Sequence, residues 1–435
     1  MKRVHIITYG CQMNKSDSEM MNGLLRQKGY LPAAAIEEAD LILVNTCSVR
    51  AHAESRALGR LGELARLKRK RPDIILGVCG CMAERQRDHL LQKAPYLDFI
   101  LGPRRLAELP EIVDSVNSRN SPLLCTGPER DPSPPSLHLS LRENNLKAWL
   151  PISLGCNNFC AYCIVPSLRG PLKSRDSGEI IKEAESLAEN GYREVTLLGQ
   201  NVNAYGQDRP GEIDFAGLLE QLNAVAGLSR IRFATSHPKD ISSRVIDALA
   251  DLPSVCEALH LPIQAGSNNV LARMKRGYTV ERYLEIISQI REKIPKIAIS
   301  TDIIVGFPGE TEDDFEATLA LVEEAGFDGA FTFKYSPRPG TPAAEMPDQI
   351  PEEVRKARLD RLIKLQNRIT QQKNEALIGS EQEVLVEGKN PKRPGFLLGR
   401  TRTDKTTTFA GHESLIGQIV NVNITKATTW CIGDW

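Results

Sequence analysis

The sequence predicts a multidomain α/β protein: an N-terminal parallel α/β sheet, a central partial (β/α)6 barrel and a small C-terminal antiparallel β-barrel. Three observations carry this. Near-continuous apolar strands alternate with helical stretches through the first hundred residues, as in a parallel sheet covered on both faces. Six further strand–helix units follow a Pro- and Ser-rich break, too many for the first sheet to absorb. The last sixty residues then switch to alternating apolar and polar positions between Gly-rich turns.

In chain order, "VHIITYG" (4–10) reads as a strand, and a helix runs from Ser16 to Gly29. Ser16 and Glu19 have the capping-box spacing at its start. "ADLILVNTC" (39–47) is an apolar strand followed by a helix through 52–70. "IILGVCGC" (74–81) is a third strand, with another helix and a short strand near "DFILG" (98–102) after it. Residues 115–145, including "SRNSPLLCTGPERDPSPPS", resist regular structure and read as a linker. The six strands of the central region are "AWLPISL", "EVTLLGQN", "RIRFATS", "ALHLPIQ", "IAISTDIIVGF" and "GAFTFKYS". A charged helix (351–377) leads to the final strands, among them "EQEVLVEG" and "IGQIVNVNITKA". The expected domains are 1–116, a linker 117–145, 146–372 and 375–435.

Charged residues make up 25% of the 435 positions and cancel to a formal net charge of zero. A globally basic nucleic-acid binder is thereby excluded, and any such surface must be a local patch. No apolar run reaches membrane-spanning length, and the N-terminus passes into a strand without the apolar core of a signal peptide. The expectation is a soluble cytoplasmic protein. Ten cysteines in a reducing compartment call for metal binding or catalysis wherever they cluster or recur at special places.

Three do recur. Cys11 follows the first strand, Cys47 ends the second and Cys81 ends the third. Ligands of open parallel sheets bind outside the carboxyl ends of the strands, and neighbouring strands lie about 5 Å apart. Three thiols far apart in sequence are thus brought within reach of one ligand. A lone buried thiol of this kind is ordinarily just a small hydrophobe; three at one topological position are not. Cys79, inside the strand, is expected to pack in the core.

"GCNNFCAYCIVP" places Cys156, Cys160 and Cys163 in a C-x3-C-x2-C arrangement after the first strand of the central region. Three thiolates in eight residues suit one inorganic cluster. Zinc is the competing metal, but structural zinc takes four protein ligands, and no fourth Cys or His follows nearby, His237 and His260 being distant. Three ligands leave a coordination position open, which a reactive site needs. Cys125, Cys256 and Cys431 read as structural, and His52, His89 and His412 as surface or helix residues.

At this motif the sequence resembles the radical S-adenosylmethionine (SAM) enzymes, whose partial (β/α)6 barrel agrees with the six units above. "YGCQMNKSDSE", "NTCSVR", "GCMAE", "HLPIQAGS", "RGYTVERY", "TDIIVGFPGETEDDF" and "YSPRPGTPAA" extend the likeness to the methylthiotransferases of that superfamily, most closely the branch acting on isopentenyladenosine in tRNA. The resemblance implies two 4Fe–4S clusters, an auxiliary one on Cys11, Cys47 and Cys81 and a SAM cluster on Cys156, Cys160 and Cys163. It implies radical methylthiolation of carbon 2 of N6-isopentenyladenosine at tRNA position 37, consuming two SAM molecules. One SAM is the methyl donor, the other the source of a 5′-deoxyadenosyl radical. Gln200, Asn203, Ser236, Gln264 and Gly306, at strand ends, are the implied SAM contacts. Gly306 suits close backbone approach.

"NPKRPGFLLGRTRTDK" carries Lys392, Arg393, Arg400, Arg402 and Lys405 against a single Asp404. This is a candidate phosphate-tracking surface, and the region resembles the OB-like TRAM domain of tRNA-modifying enzymes. A solvated barrel edge guarded by charge is the bland alternative. The implied partners are the tRNA anticodon stem-loop, a sulfur donor, and an electron donor such as flavodoxin or ferredoxin, with the chain acting as a monomer away from membranes. "SLRGPLKSRDSGE", after the cluster loop, is less charged than the tRNA branch usually is there. Methylthiolation of a ribosomal-protein aspartate or of threonylcarbamoyladenosine therefore stays open, as does a non-catalytic iron–sulfur or zinc RNA-binding protein.

Overall fold

The first sheet of the computed structural model runs β1 (Arg3–Tyr9), α1 (Gln12–Gln27), β2 (Leu31–Pro32), β3 (Leu41–Thr46), α2 (Ala51–Lys70) and β4 (Ile75–Gly80). It continues with α3 (Cys81–Lys93), β5 (Phe99–Leu101), α4 (Leu109–Val116) and β6 (Leu123–Cys125). The structure describes residues 1–48, 51–116, 121–129, 140–142 and 145–435, with the backbone alone for 51–53. Much of the expected linker, and the side chain of His52, lie outside the described residues.

The sheet is parallel, in the order β2-β1-β3-β4-β5-β6. Because side chains alternate along a strand, its apolar runs feed two cores. Leu41, Leu43, Phe99 and Leu101 pack on one face, and Ile42, Val44, Leu76, Val78 and Ile100 on the other.

Two expectations are corrected here. The first helix begins at Gln12 rather than Ser16. The Cys11 N–H donates to Asn14 Oδ1 at 3.3 Å, so the start is set by Asn14, and Ser16 is buried in the second turn. Within the stretch expected to be irregular, Leu123–Cys125 adds a sixth strand to the sheet, with Leu123 opposite Phe99.

The central region runs β7 (Lys147–Pro151), β8 (Ser153–Leu154), α5 (Val165–Arg169), β9 (Lys173–Ser174), α6 (Ser177–Glu189) and β10 (Glu194–Leu198). Then come α7 (Phe215–Asn223), β11 (Arg230–Phe233), α8 (Ser243–Asp251), β12 (Ala258–His260), α9 (Asn268–Arg273) and α10 (Val280–Lys293). β13 (Ala298–Val305), α11 (Glu312–Ala325), β14 (Gly329–Lys334), α12 (Pro342–Glu345) and α13 (Glu352–Glu375) complete it. Parallel strands β7-β10-β11 and β12-β13-β14 form two halves of an open arc. A single parallel bridge, Ile231 to Val255, spans the seam. β7 and β14 are the two edges, so the barrel is open at its side.

The last domain holds β15 (Glu381–Lys389), β16 (Phe396–Thr401), β17 (Thr406–Ala410), β18 (Ile419–Asn423), β19 (Lys426–Ala427) and β20 (Ile432–Asp434). Their order is β18-β15-β16-β17-β20-β19, antiparallel except for the parallel pair β17–β20. Val384, Val386, Leu397, Phe409, Val422 and Ile432 fill its interior. No helix among the described residues is long and apolar enough to cross a membrane.

Candidate functional site

The strand register decides where the first cysteine triad goes. Tyr9 pairs with Thr46, and Thr46 with Gly80, so β1, β3 and β4 end level with one another. Cys11, Cys47 and Cys81 leave those ends. The Cys47 N–H donates to the Tyr9 carbonyl at 2.9 Å. Gly80 turns the chain out of β4 at φ +90°, where a Cβ would stand 2.5 Å from the Thr46 carbonyl oxygen. No residue but glycine suits both conditions.

The three thiols sense one another. A hydrogen bond from Cys47 brings the Cys11 thiol down to about 6, with help from the Arg169 charge. Burial pushes Cys81 up, while Arg169 opposes that rise. Arg169, at the end of α5, donates to Asp17 Oδ2 at 2.6 Å, and both are buried. The barrel thus places a cation against thiols of the N-terminal sheet.

The compact triad sits in a loop pinned by its own backbone. The Cys156 N–H donates to the Gly170 carbonyl at 3.2 Å, and the Cys163 N–H to the Cys160 carbonyl at 3.0 Å. Gly155, at φ +74°, lies so close to the Pro171 carbonyl that a Cβ would stand 1.9 Å from it. Gln200 holds the loop from β10, accepting the Gly155 N–H on Oε1 at 2.5 Å. Burial pushes Cys156 up and Cys163 to about 12. Arg276 supplies the cation here, donating to Cys160 Sγ at 3.4 Å and to the Pro262 carbonyl at 3.0 Å.

All six cysteines line one cavity of about 1890 Å³ that fills the barrel and reaches the N-terminal sheet. None of the ten cysteines is in a disulfide, and Cys79, in the core, does not line it.

The residues present fit iron–sulfur clusters and a polar cofactor. Both donor sets are three thiols, and thiols that burial holds protonated release their protons when a metal replaces them. Among the described residues no three His, Cys, Asp or Glu side chains close around a single metal ion; a four-iron cluster is wider and takes thiolates held further apart. On the same wall Ser236 Oγ, Gln264 Oε1 and His237 Nε2 are buried without a hydrogen-bond partner. Buried polar atoms left so are costly unless a ligand completes them. The Lys239 N–H donates to His237 Nδ1 at 3.2 Å, which assigns the proton to Nε2 and aims a donor into the cavity. Burial, then the Arg276 and Lys239 charges, lower His237 to about 2, so it is neutral.

Among the expected SAM contacts, Gln200, Ser236 and Gln264 line the cavity. Asn203 does not: both ends of its amide are spent on the His237 backbone, at 2.9 Å each. Gly306 does not either; its N–H donates to Glu310 at 2.6 Å, and Arg355 lies against its α-carbon. The basic set of the last domain divides likewise. Arg402 grips Glu257 through two contacts of 2.7 and 2.8 Å, and Lys405 reaches Asp328 at 3.0 Å, so both dock the domain onto the barrel. Arg400 bonds Asp404 at 3.0 Å. Lys392 and Arg393 stand exposed on the outer loop.

Sequence reasoning missed Arg169, Arg276 and His237 as members of the site. Their signal was present but mute: "SLRG" and "RGYTVERY" put arginines beside glycines with nothing to say which cysteine they face.

Comparison with known proteins adds three domain matches. Residues 3–102 match the uncharacterized protein family UPF0004, 150–322 the radical SAM superfamily and 375–431 the TRAM domain. The chain is 50% identical over 433 residues to the tRNA-2-methylthio-N(6)-dimethylallyladenosine synthase of Moorella thermoacetica, covering 99% of this chain and 97% of that protein. It is 49% identical to the enzyme of the same name from Dictyoglomus thermophilum, covering 99% and 98%. Among solved structures, the fold is similar to the radical SAM methyltransferase TsrM from Kitasatospora setae, with TM-score 0.58, 15% identity and coverage of 79% and 75%.

Proposed function

The chain belongs to the tRNA-2-methylthio-N(6)-dimethylallyladenosine synthase family, and from that premise we propose that it replaces the hydrogen on carbon 2 of N6-isopentenyladenosine, at position 37 of tRNA, with a methylthio group. The observation that carries the reading is the opening of both cysteine triads onto one cavity. A substitution that needs both a radical and a sulfur needs two such sites within reach of one base.

When bound, SAM and a 4Fe–4S cluster supply one-electron chemistry, which the task requires because the C2 hydrogen is not acidic and offers acid–base groups little to act on. Cys156, Cys160 and Cys163 would hold that cluster, and Cys11, Cys47 and Cys81 a second one as the sulfur-bearing site. Arg276 and Arg169 offset thiolate charge at the two triads. Gln200 fixes the loop that carries Cys156, Cys160 and Cys163. His237, Ser236 and Gln264 present polar atoms to the cofactor from the barrel wall. Residues of the N-terminal sheet line the cavity beside the cysteines, where shielding from water would protect a radical from side reactions.

The reading also calls for a sulfur donor, a flavodoxin- or ferredoxin-type electron donor, and action on the anticodon stem-loop by a cytoplasmic monomer. Mass spectrometry of tRNA nucleosides from a strain lacking the gene tests it. Loss of the 2-methylthio nucleoside, restored by this chain, is the expected result; unchanged tRNA with an altered ribosomal protein overturns it. Anaerobically prepared protein is expected to contain about eight iron atoms, as two four-iron clusters require.

A further inference from the structure

Among the described residues the strongly exposed Phe, Tyr and Trp rings are Phe159, Phe331, Phe333 and Trp430. Three of the four line the one cavity. Soluble proteins seldom leave aromatic surface together in water without a use for it.

Phe331 and Phe333 belong to β14, an edge of the open barrel. The register pairs Asp302 with Phe331 and Ile304 with Phe333, and Asp302 and Ile304 both line the cavity. The two rings therefore continue the inward-facing row of β13 out to the barrel's open side. Phe331 meets the His260 ring edge-on at 5.7 Å, which holds it while leaving it 54% exposed. Trp430, 76% exposed, comes from the turn between β19 and β20 in the last domain. Asn374 of α13 ties that turn down, donating to the Thr428 and Thr429 carbonyls at 2.8 and 3.2 Å. The indole is presented on a fixed support.

The charge around these rings is nearly balanced once the partners behind the wall are counted. The whole chain is neutral, yet the cavity lining carries nine Lys and Arg against five Asp and Glu. Three of the nine pair with carboxylates set back from the wall, Lys147 with Glu387, Arg169 with Asp17 and Lys334 with Glu352, which brings the excess down to one. Flat rings at the open edge of a cavity with polar walls match a ligand that carries flat groups of its own, and on the tRNA reading that is a single-stranded loop with its bases unstacked.

We propose that Phe331, Phe333 and Trp430 form a stacking surface that holds unstacked bases of the substrate RNA loop at the open side of the barrel. This rests on the tRNA reading above and adds to it the place where the loop is gripped. It also assigns the entry side: the loop comes in past β14 and the last domain, and the N-terminal sheet covers the other end.

The test uses the full chain, prepared anaerobically, and an RNA stem-loop carrying 2-aminopurine in its loop. Anisotropy reads the affinity, and quenching of the 2-aminopurine reads stacking. Trp430→Ala and Phe331→Ala are each expected to weaken binding roughly five- to hundredfold and to relieve the quenching, given typical base–aromatic stacking. Trp430→Phe and Phe331→Tyr are expected to keep both. Trp430 touches no core, so its variants fold; circular dichroism checks those at Phe331. If the wild type binds and quenches while the alanine variants do so equally, or the aromatic variants fail as badly as the alanine ones, the stacking surface is wrong and the RNA reading stands. If the wild type binds no RNA, the reading itself falls and takes this surface with it.

Discussion

Arg169 donates to Asp17 Oδ2 at 2.6 Å across the boundary between the barrel and the N-terminal sheet, with both side chains almost wholly removed from solvent. The same guanidinium bears electrostatically on Cys11 and Cys81. One buried cation therefore does two things: it joins two domains and favours the thiolate form at the first triad.

Those roles are separable. Arg169→Ala leaves Asp17 as a buried charge without its partner and is expected to cost about 3–5 kcal/mol. Pairing it with Asp17→Asn is expected to return much of that stability but not the iron bound at the first triad. Denaturant unfolding and iron content, measured on both variants, check the two halves. Full iron loading in the double variant would leave Arg169 with a structural role alone.

The two triads are expected to fail differently. Cys160→Ala should abolish SAM cleavage and product together. Cys47→Ala should still cleave SAM to 5′-deoxyadenosine but form no methylthio product, because only the sulfur-bearing site is lost. Chromatography of both products decides, and full methylthiolation by Cys47→Ala would sink the assignment.

The last domain is held by arginines that reach backbone carbonyls. Arg230, fully buried, donates to the Arg400 carbonyl at 2.7 Å and to Glu383 Oε1 at 2.8 Å, while Arg232 donates to the Thr401 carbonyl at 2.7 Å. Arg230→Met strands those acceptors and is expected to cost about 2–4 kcal/mol. The visible consequence is faster proteolysis near 375–380, where the domain begins. Arg402→Ala, at a partly exposed pair with Glu257, is expected to do less, about 1 kcal/mol.

His237 gives the protein a pH signature. Its folded value, about 2, lies below the ordinary 6.5, so below pH 6.5 the unfolded chain takes up a proton that the folded chain refuses. Stability from this group is complete above pH 6.5 and declines as pH falls toward 2, by about 2 kcal/mol at pH 5. The thermal midpoint should drop more steeply between pH 7 and 5 in the wild type than in His237→Gln. Parallel slopes would remove His237 as the cause.

The six cysteines were legible as candidate ligands from spacing for Cys156, Cys160 and Cys163 and from strand-end position for the other three, and the structure brings all six to one cavity. The start of α1 was misread for a local reason too. Ser16 and Glu19 have capping-box spacing, but Asn14 meets the Cys11 N–H first, and a spacing rule cannot rank two candidate starts five residues apart. The basic loop misled more deeply. Arg402 and Lys405 look like phosphate binders in a list of charges; in space they face Glu257 and Asp328.

By itself the sequence determined the element types, the three-part organisation and the six thiols, since all of these follow from periodicity and residue chemistry along the chain. Only the tertiary structure decided what the thiols and the other charges face. Arg169 meets Asp17 across 152 positions of chain, and Phe331, Phe333 and Trp430 meet one cavity from two domains. Such pairings depend on how sheets and domains dock, a sum of many weak contacts that no local stretch encodes.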